Sequence, residues 1–224
     1  MSSKNYQNTA YTRKESEKAK KAAAAKKRKI TIGVIAAAII IIVLIAVFAG
    51  KGSDFKGGTY YADIVVKDYG TITVSLDGDT APATVENFIK LAEDGIYDGL
   101  TFHRIMEGFM MQGGDPNGNG VGDDGLDTVV GEFSANGYEN NISHVRGTIS
   151  MARSQEYNSA SSQFFIVQQD STFLDGQYAG FGTVVEGMEI VDQICQESNP
   201  TDNNGSIPEA ERPIIETVTI REAE

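Results

Sequence analysis

Two stretches of the chain combine charged, polar and aromatic side chains of the kinds found in binding and catalytic sites. Residues 102–115 read FHRIMEGFMMQGGD and combine a cation, aromatic rings, a thioether and an amide before ending at Gly-Gly. Side chains alternate between the faces of a strand, so Arg104 and Phe109 can share a face only if the chain turns near Gly108. Residues 147–167 contain GTISMAR and SSQFFIV. No nucleophile-elbow sequence accompanies them, so a hydrolase is only weakly indicated.

These stretches resemble the cyclophilins, a family of peptidyl-prolyl cis/trans isomerases. FHRIMEGFMMQGGD, GTISMAR, SSQFFIV, FLDG and FGTVVEGME occur in the family's order and at about its spacing. The resemblance extends from about Thr59 to Ile220. It implies a mainly β fold, a closed eight-stranded antiparallel barrel with two helices, and an active-site groove on the outer face. Many eukaryotic members have tryptophan at the position of Phe173 and histidine at that of Tyr178. In both replacements this sequence resembles bacterial members of the family.

The resemblance also implies the site residues. Arg104 corresponds to the catalytic arginine, Gln112 to the residue that hydrogen-bonds the substrate backbone, and Phe109 completes this set. The residues implied in substrate binding are Met110, Ala152, Arg153, Phe165, Phe173, Leu174 and Tyr178. Phe109 with Met110, Phe165 and Leu174 would line a proline pocket. Main-chain contacts would come from 152–153, and the rim from Phe173 and Tyr178.

Amide chemistry agrees with these roles. Resonance opposes rotation about an X–Pro bond with a barrier of ~18–20 kcal/mol, so unaided exchange is slow. No covalent bond breaks, so the reaction needs no acid, base, nucleophile, metal or cofactor. A donor to the prolyl nitrogen hastens rotation as resonance is lost, and the always-charged, rigidly forked Arg104 is a suitable donor. The expected partner is a proline-containing unfolded or extended polypeptide.

Two other functions stay open. The domain could be a module that holds proline-containing segments with incidental catalysis, or a chaperone that shields clients. The presence of Arg104, Phe109 and Gln112 favours the enzyme, because a mere binder has no need of a donor to the rotating amide. We therefore expect a peptidyl-prolyl cis/trans isomerase that assists the folding of exported or membrane-proximal proteins.

Short strands and two helices must position these residues. The runs TYYADIVV and GTITVSL, joined by residues 67–69, predict a hairpin. A helix is predicted from Pro82 to Gly95, with one apolar face formed by Val85, Phe88, Ile89 and Ala92. A second helix at 187–196 precedes a last strand, PIIETVTI. This pattern favours an antiparallel barrel or sandwich.

The N-terminal region predicts a membrane anchor. Residues 30–49 form an uncharged run of ~20 residues, the length of a transmembrane helix, after a basic segment at 1–29. Lysine and arginine on that side place it in the cytoplasm. We expect a single-pass anchor in the cell membrane, a flexible linker at 50–58 and an extracytoplasmic isomerase domain at 59–224. The alternative is a secreted domain, released by signal cleavage near Ala49.

Charge and composition narrow the partners and ligands. Residues 1–51 hold 11 Lys/Arg and 2 Glu, a net charge of +9. The remaining residues hold 8 Lys/Arg and 29 Asp/Glu, a net charge of −21. Such an acidic domain repels phosphate backbones, so nucleic acid is not an expected partner. Cys195 is the one cysteine. It lies in a segment whose apolar residues recur at helical spacing, so we predict that it is a core residue. Residues 115–120 imitate a calcium loop, but Leu126 replaces the required glutamate. We interpret His103 as a hydrogen-bonded structural residue. We expect the protein to be a monomer.

Overall fold

The computed structural model describes residues 55–122 and 125–223. The predicted basic tail 1–29, the predicted span 30–49 and the start of the predicted linker 50–58 lie outside these residues. Within the described part, no helix is both long and apolar enough to cross a membrane. A compact unit begins at Phe55, whose ring stacks on Tyr60 with centroids 5.4 Å apart. The end of the predicted linker therefore packs on the domain.

The described residues include eight strands and two α-helices. In chain order they are β1 Thr59–Val66, β2 Gly70–Asp77, α1 Pro82–Glu93, β3 Phe102–Met106, β4 Met110–Gly113, β5 Thr148–Met151, β6 Phe164–Val167, β7 Gly180–Glu186, α2 Met188–Glu197 and β8 Ile215–Glu222. Every pair of neighbouring strands is antiparallel. The mainly β class and both helices are as predicted.

The predicted hairpin forms at the start of the domain. β1 and β2 pair along their full length, and the Tyr69 N–H donates to the Val66 carbonyl at 3.1 Å across the turn. Asp68 in this turn has a φ of 65°, a left-handed conformation that aspartate tolerates better than most residues. Alternate residues of β1, including Ala62 and Ile64, are fully buried. The turn therefore sets the register that directs this face into the core.

The first helix begins at Pro82 as predicted, but a residue far along the chain caps it. The Glu132 carboxylate accepts the N–H groups of Ala83 and Thr84 at 3.0 and 2.8 Å and the Thr84 hydroxyl at 2.7 Å. The first N–H groups of a helix have no partner inside it, and a negative charge there is favourable. Glu132 thus ties its own loop to α1.

The second helix packs one face on the core. Its buried residues are Val191, Ile194 and Cys195. Burial raises the pKa of the Cys195 thiol to about 12, so the thiol stays protonated and unreactive at neutral pH. The prediction of a core cysteine is confirmed.

The strands form one sheet in the order β3-β4-β6-β5-β7-β2-β1-β8. This sheet is an open half-barrel, so the expected closure into a barrel is wrong. The outer edge of β3 is occupied by the segment 205–207, with a bridge between Arg104 and Ser206, and not by β8. Among the described residues, only the ends of the sheet approach each other: a bridge joins Thr101 to Ile214, and the Phe102 N–H donates to the Pro213 carbonyl at 3.0 Å just before β8.

Aromatic rings fill the centre of the domain. Phe88 of α1 lies 5.0 Å from Tyr97, 5.5 Å from Phe164 and 5.3 Å from Phe181, measured between ring centroids. Phe102 of β3 meets Phe164 edge-on at 6.1 Å. All five rings are fully buried. The cluster therefore fixes α1 against the strands that carry the site.

Replacing Phe88 by alanine should lower the free energy of unfolding by about 3–5 kcal/mol, because it removes a ring from a close-packed core. The matched control is Phe173→Ala, since Phe173 is 72% exposed and its loss should cost less than about 0.5 kcal/mol. Urea unfolding of residues 55–224 measures both. Equal losses in the two variants would contradict the described core.

Candidate active site

Strand register places Arg104, Gln112 and Phe165 side by side. Arg104 of β3 is opposite Gln112 of β4, Gln112 is opposite Phe165 of β6, and Phe165 is opposite Ser150 of β5. Residues directly opposite in an antiparallel pair project from the same face of the sheet. A cation, an amide and an aromatic ring thus form one row across three strands.

The turn predicted near Gly108 is confirmed. Gly108 has a φ of 76°, which glycine adopts without strain. The Phe109 N–H donates to the Met106 carbonyl at 3.0 Å, and the Gln168 side chain accepts the Gly108 N–H at 2.6 Å. This turn brings Phe109 to the same pocket as Arg104.

A pocket of about 190 Å³ lies on this row. It contains nine of the ten residues predicted from the sequence, namely Arg104, Phe109, Met110, Gln112, Ala152, Arg153, Phe165, Leu174 and Tyr178. Met110 and Phe165 are almost fully buried and belong to a small apolar cluster that Phe109, Ala152, Leu174 and Tyr178 extend. The pocket therefore has an apolar base and a hydrogen-bonding side formed by Arg104 and Gln112.

The Arg104 guanidinium is fixed by three contacts. Its Nε donates to the Asn204 carbonyl at 2.7 Å, Nη1 to the Gln112 Oε1 at 3.1 Å and Nη2 to the Met106 sulfur at 3.4 Å. Burial lowers the pKa of Arg104, which Tyr178 and Asp202 partly offset. Arginine titrates far above neutrality, so Arg104 remains a cation.

A second amide orients Gln112. The Gln112 Nε2 donates to the Gln163 Oε1 at 2.9 Å, and Gln163 is itself only 8% exposed. Since Gln112 Oε1 accepts from Arg104, the side chains of residues 163, 112 and 104 form one hydrogen-bonded chain. This chain fixes which end of the Gln112 amide points at the arginine.

Two residues predicted to contact substrate, Ala152 and Phe173, differ from the others in their surroundings. The Ala152 N–H already donates to the Gln163 carbonyl at 2.9 Å, so this main-chain donor is occupied. Phe173 does not line the pocket; it lies in a 3-10 turn with its ring 5.6 Å from that of Phe109. An exposed aromatic ring thus stands beside the pocket.

Sequence reasoning missed a polar chain beneath the pocket, which joins two buried side chains to an exposed carboxylate. His144 contacts the Ser150 hydroxyl at 2.9 Å through Nε2 and the Asp175 carboxylate at 3.0 Å through Nδ1. Its ring stacks on Phe165 with centroids 6.0 Å apart. His144 and Ser150 are both 0% exposed, so a substrate reaches neither the imidazole nor the serine hydroxyl. The polar chain supports the pocket, and nothing in the local sequence around His144 signals that role.

His103 also differs from its prediction. It is buried, as expected of a structural residue, but neither ring nitrogen has a hydrogen-bond partner among the described residues. Burial lowers the pKa of His103, opposed by nearby Asp115. The expectation of a hydrogen-bonded histidine is therefore wrong: the ring is packed beside Gly120, where its nitrogens meet no hydrogen-bonding group in the described part of the chain.

The calcium-like segment forms a self-satisfied turn. Asp115 is 2% exposed, and its carboxylate accepts the N–H groups of Asn117 at 3.0 Å and Gly120 at 2.6 Å. The described residues contain no group of three or more His, Cys, Asp or Glu that could hold a metal ion.

Two further depressions adjoin the central pocket at Gln112. One depression of about 370 Å³ adjoins it along Gly120, Leu126 and Ser161, and another of about 390 Å³ lies along Asn119 and Arg212. Residues that flank a ligand in the central pocket therefore have room beside it. This arrangement suits an extended chain.

Comparison with known proteins gives one consistent family. Residues 61–224 match the family model "Cyclophilin type peptidyl-prolyl cis-trans isomerase/CLD". Peptidyl-prolyl cis-trans isomerase A of Dickeya dadantii is 45% identical over 132 residues, covering 57% of this chain and 67% of that protein. Isomerase B of Bacillus subtilis is 42% identical over 126 residues, covering 56% and 84%.

A solved structure has the same fold. The cyclophilin type peptidyl-prolyl cis-trans isomerase of Cryptosporidium parvum, crystallised in the presence of the dipeptide Ala-Pro, superposes with a TM-score of 0.62 and 27% identity. The match covers 73% of this chain and 99% of that one.

The two buried histidines predict how stability depends on pH. Burial lowers the pKa of both His103 and His144 below 6.5, so below pH 6.5 the unfolded chain binds protons that the folded chain does not. The free energy of unfolding should therefore fall as pH drops from 7.5 to 5.5, by at most about 1.4 kcal/mol per pH unit for each histidine.

Urea unfolding of residues 55–224 at several pH values measures this slope. His144→Asn should flatten it whatever the variant's absolute stability. The carboxylates with a lowered pKa, such as Asp175 and Asp192, titrate below 3.8, outside this window. A slope that is unchanged in both His103→Asn and His144→Asn would contradict the prediction.

Proposed function

This chain belongs to the cyclophilin-type peptidyl-prolyl cis/trans isomerase family, and on that premise we propose that its central pocket holds a proline ring while Arg104 assists rotation of the preceding amide. The chain is an isomerase by the family model and the names of its relatives. The Cryptosporidium relative was crystallised with Ala-Pro, the smallest X–Pro unit. That ligand supports the same substrate class for this chain.

The observation that supports the mechanism is that Arg104 lines the same pocket as the apolar side chains. Met110 and Phe165 at its base offer no polar atom to a ring, which suits the apolar proline side chain. Arg104 and Gln112, 3.1 Å apart, stand beside them. A bound proline would have its own tertiary amide next to a fixed cation and a fixed amide.

Catalysis requires preference for the twisted amide over either planar form. As the bond twists, the prolyl nitrogen gains a lone pair and accepts a hydrogen bond. Arginine has five N–H groups, and the contacts within the described residues use three of them. A donor held in place needs little reorganisation when the nitrogen changes. Each ~1.4 kcal/mol of such preference gives a tenfold rate.

The substitution Arg104→Ala should lower kcat/KM for an Ala-Pro peptide by about 10²- to 10³-fold, the usual loss for one preorganised donor. Arg104→Lys should recover little, because lysine cannot keep a planar fork joined to both Asn204 and Gln112. The matched control is Arg146→Ala, since Arg146 pairs with Asp192 outside the pocket and its loss should leave the rate unchanged.

Cis-to-trans exchange kinetics measure these rates. A folded native chain that binds the peptide without speeding exchange would remove the catalytic mechanism and leave the binding module. Chaperone action is separated by light scattering, because shielding of clients should survive Arg104→Ala.

The cellular setting is a further part of this proposal. We infer from the apolar run 30–49 after the basic segment 1–29 that the chain is anchored in a cell membrane as a monomer, with the isomerase domain outside the cytoplasm. Its substrates would then be exported or membrane-proximal proteins as they fold. The strongly acidic domain would keep clear of anionic lipid head groups.

Protease added to intact cells should remove the domain and leave residues 1–29 protected. Lysed cells, in which both parts are digested, provide the control. Protection of the domain in intact cells would contradict the orientation, and recovery of the domain in the medium would support signal cleavage near Ala49 instead.

A further inference from the structure

The Arg153 side chain makes contacts within the protein that a role in main-chain contacts with substrate does not explain. Its guanidinium carbon lies 4.6 Å from the ring centroid of Tyr178, 5.1 Å from that of Phe133 and 5.2 Å from that of Tyr157. None of the ion pairs within the described residues includes it. Three aromatic rings therefore surround this cation in place of a carboxylate.

The same guanidinium joins two irregular segments of chain. Its Nε and Nη2 donate to the Gln177 carbonyl at 3.0 and 2.8 Å, and its Nη1 donates to the Ser154 and Gln155 carbonyls at 2.8 and 3.3 Å. Residues 152–159 and 175–179 belong to no helix or strand. At the ends of these segments the Met151 N–H donates to the Ala179 carbonyl at 3.1 Å, and beyond that point Arg153 supplies hydrogen bonds between them.

The joined segment carries one wall of the proline pocket. The Gln177 N–H donates to the Leu174 carbonyl at 3.0 Å, so the peptide that Arg153 holds also closes the turn with Leu174. The next residue, Tyr178, meets Phe165 edge-on at 5.9 Å. Contacts thus run from Arg153 through Tyr178 to the base of the pocket.

We propose that the Arg153 side chain is a positioning residue for substrate binding, which holds Tyr178 and the turn 174–178 in place as the wall of the proline pocket. This inference rests on the proposed function of that pocket and adds a role to a residue expected to act through its main chain. A planar fork is needed to bond the Gln177 carbonyl twice and to stack on rings, so lysine cannot replace it.

Loss of this side chain should affect substrate affinity and leave the rotation step intact. The wall contacts the ring in the planar and the twisted forms alike, so its displacement removes uniform binding and raises KM without lowering kcat. The lost ring and carbonyl contacts should weaken peptide binding by about tenfold in Arg153→Ala. Arg153→Lys should be weakened by about threefold or more.

The test uses the full chain and an Ala-Pro peptide. NMR titration gives the dissociation constant, and exchange at saturating peptide gives kcat. The matched control is Arg221→Ala, which removes a guanidinium on β8 that lies 4.5 Å from the Tyr61 ring of β1, outside the pocket. Its affinity should stay within about twofold of the native chain. Unchanged affinity in both Arg153 variants, or kcat falling as far as affinity, would overturn the proposal.

A double-mutant cycle decides whether Arg153 acts through Tyr178. In a Tyr178→Ala background, Arg153→Ala should add little further loss, because the wall is already displaced. Additive losses would show that Arg153 contacts the peptide itself and would overturn a positioning role. A native chain that binds the peptide but does not speed exchange removes the proposed catalysis, yet the affinity cycle still decides the role of Arg153. A native chain that fails to bind overturns both.

Discussion

The antiparallel register of β3, β4 and β6 is the constraint on which the site depends. Arg104, Gln112 and Phe165 come from separate strands, and they stand in one row only because each is directly opposite the next. A shift of one residue in either pairing would turn a whole strand over and send its side chains to the other face. No single side-chain contact in the pocket could restore the row.

That register is maintained from the opposite face of the same strands. Met111 and Phe164 enter the main core, while their neighbours Met110 and Phe165 enter the pocket cluster. Phe164 is one of the rings packed around Phe88. A slip would therefore expose large apolar side chains to water at a cost of about 1.5–3 kcal/mol each. The stability of the core thus secures the alignment of the site without contacting the substrate.

Sequence patterns predicted the features that depend on local spacing. Alternation and turn residues indicated the β1–β2 hairpin, Pro82 marked the start of α1, and the need for a turn at Gly108 followed from strand parity alone. The grouping of the predicted site residues needed more than spacing, because Arg104 and Leu174 lie 70 positions apart. The family resemblance supplied that grouping, since it relates residues through a common fold.

Features that depend on distant partners could not be predicted. Glu132 caps α1 from 48 residues away, and His144 meets Asp175 across 31 residues. From sequence alone, a polar residue in a loop is expected to be exposed to solvent. Only the folded structure shows that Glu132 and His144 are buried. The open sheet has the same origin, because the segment 205–207 carries no strand pattern yet occupies the edge of β3.

Buried polar side chains replace strand pairing where loops form the site. The Glu132 carbonyl accepts from the Asn140 side chain at 2.8 Å, and Ser162 donates to the Gly114 carbonyl at 2.7 Å. Loop backbone has no ladder to satisfy it, and an unpaired buried group is costly. Side chains must therefore supply those bonds, which makes the loop half of the pocket depend on a few hydrogen bonds. The strand half depends on apolar packing, so the two halves should respond differently to substitution.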